Sequence, residues 1–166
     1  RLPDGWLNGI KIESSNNHVM GLQVVNFPAL GLIDRAMCNQ IGGDRSVGSG
    51  PIGQGNLFSG NGVVGLQLEG MHALVLGNLI GVDSTGTEAV PNDVGICVQG
   101  NASSNTIGGR TEYMRNVISA NDDNGIQIQS NSNDNIIIGN YIGTDASGRR
   151  RLGNGGAGIS IWRGSS

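Results

Sequence analysis

Aromatic residues make up only 4% of this 166-residue chain and charged residues only 14%. So few large rings cannot fill an ordinary globular core, and so little charge excludes a disordered polyelectrolyte. There is no surplus of Lys and Arg: the formal net charge is −3, which excludes a general pull toward nucleic acid. No apolar run approaches the ~20 residues needed to span a bilayer. The chain shows neither an initiator Met nor a signal-peptide pattern. Two cysteines supply no disulfide framework and no metal-ligand spacing, so no metal or cofactor is expected.

Glycine, by contrast, is plentiful: 30 of 166 residues, against a usual share of about 7%. The glycines are not scattered. A word "G-aliphatic-x-aliphatic" opens at Gly9, Gly65, Gly95, Gly125 and Gly158, with a degenerate copy, "GLID", at Gly31. The intervals are 22, 34, 30, 30 and 33 residues, the range of a solenoid, propeller or array.

Two further words follow in each unit. One is "N-x-I/V-x-G", at Asn17, Asn39, Asn105 and Asn135, with Ala73 replacing Asn in the third unit. The other is "N-x-I/F-x-x-N/D", at Asn56, Asn78, Asn116 and Asn140, with Leu22 replacing Asn in the first. Each word alternates apolar and polar over three to five residues, which is strand periodicity, and no stripe of helical spacing appears. One unit therefore predicts three short strands joined by turns.

The expected fold is all-β: a right-handed parallel β-helix solenoid of about five rungs, with Val, Ile and Leu filling the tube. The two sets of Asn are expected to stack as amide ladders. A further column is expected from Asn61, Asp83, Asn121 and Asp145. "NLIGVDSTG" (78–86) and "NYIGTDASG" (140–148) then lie two rungs apart, because loop types alternate with a super-period of about sixty residues.

The repeat covers nearly everything, so residues 1–166 are read as a single β-helix domain, an excerpt of a longer chain. Both ends of such a tube expose strand edges, so end-to-end self-association is expected. Trp6 is expected to shield part of the first rung.

The run "NTIGG…RNVISAN…NGIQI…NIIIGNYIGTDASG" resembles repeats of right-handed parallel β-helix proteins of the pectate-lyase-like superfamily, most of all repeat-rich regions of large bacterial secreted or cell-surface proteins. That resemblance implies secretion or surface display. It does not choose among lyases, hydrolases, tailspikes and non-catalytic adhesins, which share the fold. Polygalacturonase words are absent apart from "DD" at Asp122–Asp123, as is the basic word of pectate lyases.

Several residues remain candidates for chemistry. Alternation points Glu13, Arg35 and Glu69 outward in one column. The two glutamates would lie roughly 10 Å apart, twice the strand spacing, near the upper end of the ~6.5–9.5 Å used by inverting glycosidases. Arg35 between them would keep both ionised, whereas a general acid needs a raised pKa. A solvated ion-pair ladder is favoured, with a catalytic trio as the alternative.

Asp83 and Asp145 each open a D-x-x-G turn. Arg149, Arg150 and Arg151 form a basic loop suited to an anionic polymer. Trp162 faces outward, to stack on a sugar ring or to cover a following element. His18 and His72 fall in different columns, and Cys38 and Cys97 are too far apart to pair. "GSGPIG" (48–53) lacks the following helix that a dinucleotide site needs.

The function expected is a non-catalytic scaffold or adhesin-like segment of a secreted or cell-surface bacterial protein. The alternative is a polysaccharide-binding or polysaccharide-processing domain. Polysaccharide or surface glycan is the expected partner in either case, with no nucleic acid and no membrane span.

Overall fold

The computed structural model describes residues 7–49 and 52–162. Trp6, expected to shield the first rung, lies outside the described residues. Among them, sixteen short strands form three sheets in which every pairing is parallel. The first sheet holds β1 (Ile10–Ile12), β4 (Leu30–Asp34), β7 (Val64–Leu68), β10 (Val94–Val98), β13 (Ile126–Ile128) and β16 (Ile159–Ile161). The second holds β2 (His18–Val19), β5 (Gln40–Gly42), β8 (Leu74–Leu76), β11 (Thr106–Ile107) and β14 (Ile136–Ile137). The third holds β3 (Gln23–Val25), β6 (Leu57–Ser59), β9 (Leu79–Ile80), β12 (Val117–Ile118) and β15 (Tyr141–Ile142). The chain visits the sheets in turn and returns one level on, which makes a parallel β-helix of five rungs, with β16 opening a sixth.

Period-2 alternation decides what fills the tube. Leu32, Leu66, Ile96 and Ile126 stack in register and are fully buried, as are Ile41, Val75 and Ile107 from the second sheet and Phe58, Ile80 and Ile118 from the third. They form one continuous core, each side chain contributing roughly 1.5–3 kcal/mol by leaving water. Glycine opens each rung for a steric reason. A Cβ on Gly65 would sit 2.8 Å from the carbonyl oxygen of Gly95 and 2.9 Å from the Asn92 amide nitrogen, so only glycine lets the rungs close up there.

The corners combine a left-handed residue with an amide. Asn16, Cys38, His72, Ser104 and Asp134, all at φ between 55° and 63°, each directly precede the start of the second-sheet segment. This places Cys38 and His72 as corner residues. The ladder position of that corner comes next, and the corner before the third sheet has an amide ladder of its own. Asn56 donates its Nδ2 to Asn78 Oδ1 (3.1 Å), Asn78 to Asn116 (3.1 Å) and Asn116 to Asn140 (2.9 Å). Each also reaches a backbone carbonyl of the adjacent rung, at Val19, Ile41 and Val75. Asn17 bonds Asn39 and Asn105 bonds Asn135 in the same way.

The remaining expected column needs correction. It consists of Asn61, Asn92, Asn121 and Asn154, linked at 2.9 Å each; Asp83 and Asp145 are not in it. The chain leaves the tube after Gly81 and Gly143 and rejoins it where Val90 N–H meets the Gly81 carbonyl and Leu152 N–H the Gly143 carbonyl. The corner amide therefore comes after the loop, at 92 and 154, and the aspartates belong to the loops.

Where Ala73 interrupts the Asn17/Asn39 column, the amide of Asn39 has no asparagine above it. It donates instead to Asp34 Oδ1 at 2.8 Å. Asp34 lies in register with Ile12 and Leu68, in the inward file of the first sheet, and is fully buried. Its Oδ1 also accepts from Ala36 N–H, while Oδ2 has no partner.

Candidate functional site

The outer face of the first sheet carries the sequence-predicted acids. Lys11 pairs with Glu13 at 2.6 Å, and Arg35 Nε with Glu69 Oε2 at 2.8 Å. Glu69 Oε1 also accepts from Gln67 (2.6 Å) and Gln99 (3.2 Å), and Gln129 then donates to Gln99 (2.9 Å). The result is a row of bonded side chains running along successive rungs. The hydrogen bond and charge of Lys11 hold Glu13 below the ordinary carboxylate range. Burial opposes ionisation of Glu69, but the bonds from Arg35, Gln99 and Gln67 outweigh it and lower that pKa too. Both glutamates are thus anions near neutral pH, the wrong state for protonating a leaving group. Beside this row, Leu30, Ile33, Arg35, Gln67 and Gln99 line a depression of about 300 Å³.

Cys97 points outward from the same sheet, yet it is buried among Ile33, Val64 and Val94. Burial pushes its thiol up to about 11, a shift that the Gln129 bond opposes and the Glu69 charge adds to. Cys38 is exposed, and neither cysteine is in a disulfide.

The third sheet presents a different outer face. Leu57, Leu79, Val117 and Tyr141 occupy one outward file in register. The first three are buried nonetheless, because loops from both sides cover them with Ile52, Val82, Ala146 and Leu152. The loops between the second and third sheets at rungs 2 and 4 make one wall. They meet over the short third-rung turn, where Arg45 N–H donates to the Tyr113 carbonyl and Gly77 N–H to that of Met114. The loops after the third sheet at rungs 3 and 5 make the other wall, and they meet over the fourth rung, Ala146 N–H donating to Gly86 at 2.8 Å.

Between the walls lie two adjoining depressions of about 290 Å³ each, sharing Arg45, Tyr113 and Ala146. Arg115 stacks over the Tyr141 ring at 4.0 Å from its centroid and donates Nε–H to the Gly139 carbonyl at 2.7 Å.

The two D-x-x-G turns are closed by their own backbone. Asp83 Oδ1 accepts from Thr87 and Glu88 N–H, and its Oδ2 from the Thr85 hydroxyl at 2.6 Å. Burial works against the charge on Asp83, but these bonds prevail and hold its pKa at about 2. Asp145 accepts from the Ser147 hydroxyl and from Arg149 and Arg150 N–H, and is lowered likewise, the Ser147 bond leading.

Of the basic run, Arg149, Arg150 and Arg151 are exposed, and Arg150 stands 3.9 Å from exposed Glu88. Trp162, half exposed, directly follows β16 and lines a depression with Ile128, Asn131, Ser132, Asn133 and Ile161. These residues and the Glu13/Arg35/Glu69 column are not brought together. His18, Asp122 and Asp123 are exposed and separate. Among the described residues no group of three His, Cys, Asp or Glu side chains gathers as a metal site would require, and no helix is long and apolar enough to cross a membrane.

The groove over the third sheet was missed by sequence reasoning, although a signal for it exists. In "NLF", "NLI", "NVI" and "NYI" the residue after the ladder Asn is apolar at an outward position, which asks what covers it. Compared with protein-family models, with curated proteins and with solved structures, the chain matches none.

Proposed function

We propose that the chain serves as a non-catalytic β-helix segment, a scaffold or stalk of adhesin type, in a secreted or cell-surface bacterial protein. The observation that carries this reading is how the duplicated words are used up by architecture. Asn78 and Asn140 join the ladder, Ile80 and Ile142 face the core, and Gly81 and Gly143 turn the corner at φ 82° and 79°. Asp83 and Asp145 close the loops. The resemblance to pectate-lyase-like repeats rests on these same words and agrees with an architectural role. Polysaccharide processing has weaker support, since Glu13 and Glu69 are both held ionised.

The test is incubation with neutral and acidic polysaccharides, followed by reducing-end release and the absorbance of unsaturated uronates. No release above a heat-denatured control is expected. Release that disappears in Glu69→Gln would overturn the reading. Fractionation of the producing cells should place the parent protein outside the cytoplasm; a cytoplasmic protein would overturn the display reading.

A further inference from the structure

We propose that the groove over the third sheet binds an acidic glycan, a chain of sugar rings bearing carboxylate or sulfate groups, with Arg45 and Arg115 as its anion contacts and Tyr113 as its stacking platform. The proposal goes beyond the scaffold reading and does not depend on it.

The argument begins with charge. Among the described residues, ion pairs engage Lys11, Arg35 and Arg150, and neither Arg45 nor Arg115 is in one. Glu112 lines the same depression, but what Arg45 takes from it is the backbone carbonyl, at 3.3 Å from Nη2. Two guanidiniums thus stand in one depression of a protein whose net charge is −3. Burial lowers the pKa of Arg45, and the nearby charge of Arg115 lowers it further. An anion between them would relieve that repulsion and satisfy planar forks suited to a carboxylate or sulfate.

The second element is stacking. Tyr113 is about half exposed on the 3-10 helix at Glu112–Met114, at the point shared by both depressions. An exposed ring with a polar tip, fixed on a backbone-bonded loop, suits the apolar face of a sugar. The Tyr141 ring and the Gly139 carbonyl orient Arg115.

The third is shape. The walls meet their own kind across the intervening rungs, so the groove runs along the tube axis through rungs 2 to 5, at about 4.8 Å per rung. Such a groove takes a linear polymer lengthwise. Arg149, two residues after Ser147 of the groove lining, is exposed.

The test uses the intact chain and three immobilised polymers: alginate, dextran sulfate and neutral dextran. Retention on one or both anionic polymers, with none on neutral dextran, is expected; alginate against dextran sulfate tells which anionic group is read. Arg45→Gln and Tyr113→Ala should each weaken that binding roughly tenfold with an unchanged unfolding midpoint, and Arg35→Gln on the first sheet should leave it intact. Arg115→Lys keeps the charge but loses the fork, and should weaken binding less than Arg45→Gln does. Equal binding of neutral dextran would overturn the proposal, as would equal binding of single-stranded DNA. So would full binding by folded Arg45→Gln and Tyr113→Ala variants, or no binding to either anionic polymer.

Discussion

The amide of Ala146 donates to the carbonyl of Gly86, across sixty residues and over a rung that sends out no loop after its third-sheet strand. The duplicated words therefore touch each other. Gly86 has φ +70°, and a Cβ there would lie 2.6 Å from that of Ala146. Gly86→Ala should cost about 2 kcal/mol from left-handed strain and this collision together. Urea denaturation checks the stability, and hydrogen exchange at Ala146 should accelerate.

The same loops set an acid limit. The folded pKa of Asp83, about 2, lies below its ordinary value of 3.8, so its contribution is fully present above about pH 4 and is lost as pH falls toward 2. Asp83→Ala should lower the melting temperature at pH 7, and the gap to the parent protein should close between pH 4 and pH 2. A gap independent of pH in that window would show that the bonds to Thr85, Thr87 and Glu88 contribute nothing through charge.

Interior ladder amides should matter more than rim amides. Asn78 is fully buried, donates to Asn116 and Ile41 and accepts from Asn56. Asn78→Ala leaves several buried groups unpaired and should cost roughly 3 kcal/mol or more. Asn140 is half-buried, accepts from Asn116 and donates to the Ile107 carbonyl, and Asn140→Ala should cost about 1 kcal/mol, because water reaches this partly exposed corner and can take over those bonds. Equal losses in denaturant titrations would contradict this ordering.

Asp34 works the other way. Burial raises its pKa above 3.8, against the bonds from Ala36 and Asn39. A raised carboxyl pKa means that the folded state binds the proton more tightly, so stability from this site falls as pH rises from 3.8 through the folded value. Asp34→Asn should stabilise the protein at pH 7 by about 1 kcal/mol or more, with the gain shrinking in acid. Asp34→Leu alone should strand the Asn39 amide, and adding Ala73→Asn should rescue it by completing the ladder. A double-mutant cycle with no coupling would refute that link.

The thiols should separate cleanly. Cys38 is exposed, whereas Cys97 is buried with its pKa near 11. Iodoacetamide at pH 8 should alkylate Cys38 rapidly and Cys97 only on unfolding, as peptide mass mapping would show.

Architecture was legible in the sequence because it repeats. Gly65, Gly95 and Gly125 mark rung starts, and Asn56, Asn78, Asn116 and Asn140 mark one corner, each position checked by its copies. What does not repeat was hidden. Asp34 stands where a file of aliphatics runs, and its reason, the missing asparagine at 73, lies thirty-nine residues away. Asn92 was obscured by the loop before it, since counting from Gly81 reaches Asp83 first. Arg45, Tyr113 and Arg115 sit in excursions of unequal length, and their meeting depends on two loops closing over a third rung.

Because loop contacts skip one level, the arms projecting from this tube have a beat of two. Inserting or deleting a single coil would put long arms beside long arms and leave short turns facing each other, spoiling both the Gly86–Ala146 and Arg45–Tyr113 contacts. Adding or removing coils in pairs would keep every arm opposite its mate. Length in such a protein can therefore change in even steps, about sixty residues at a time, without re-inventing its surface.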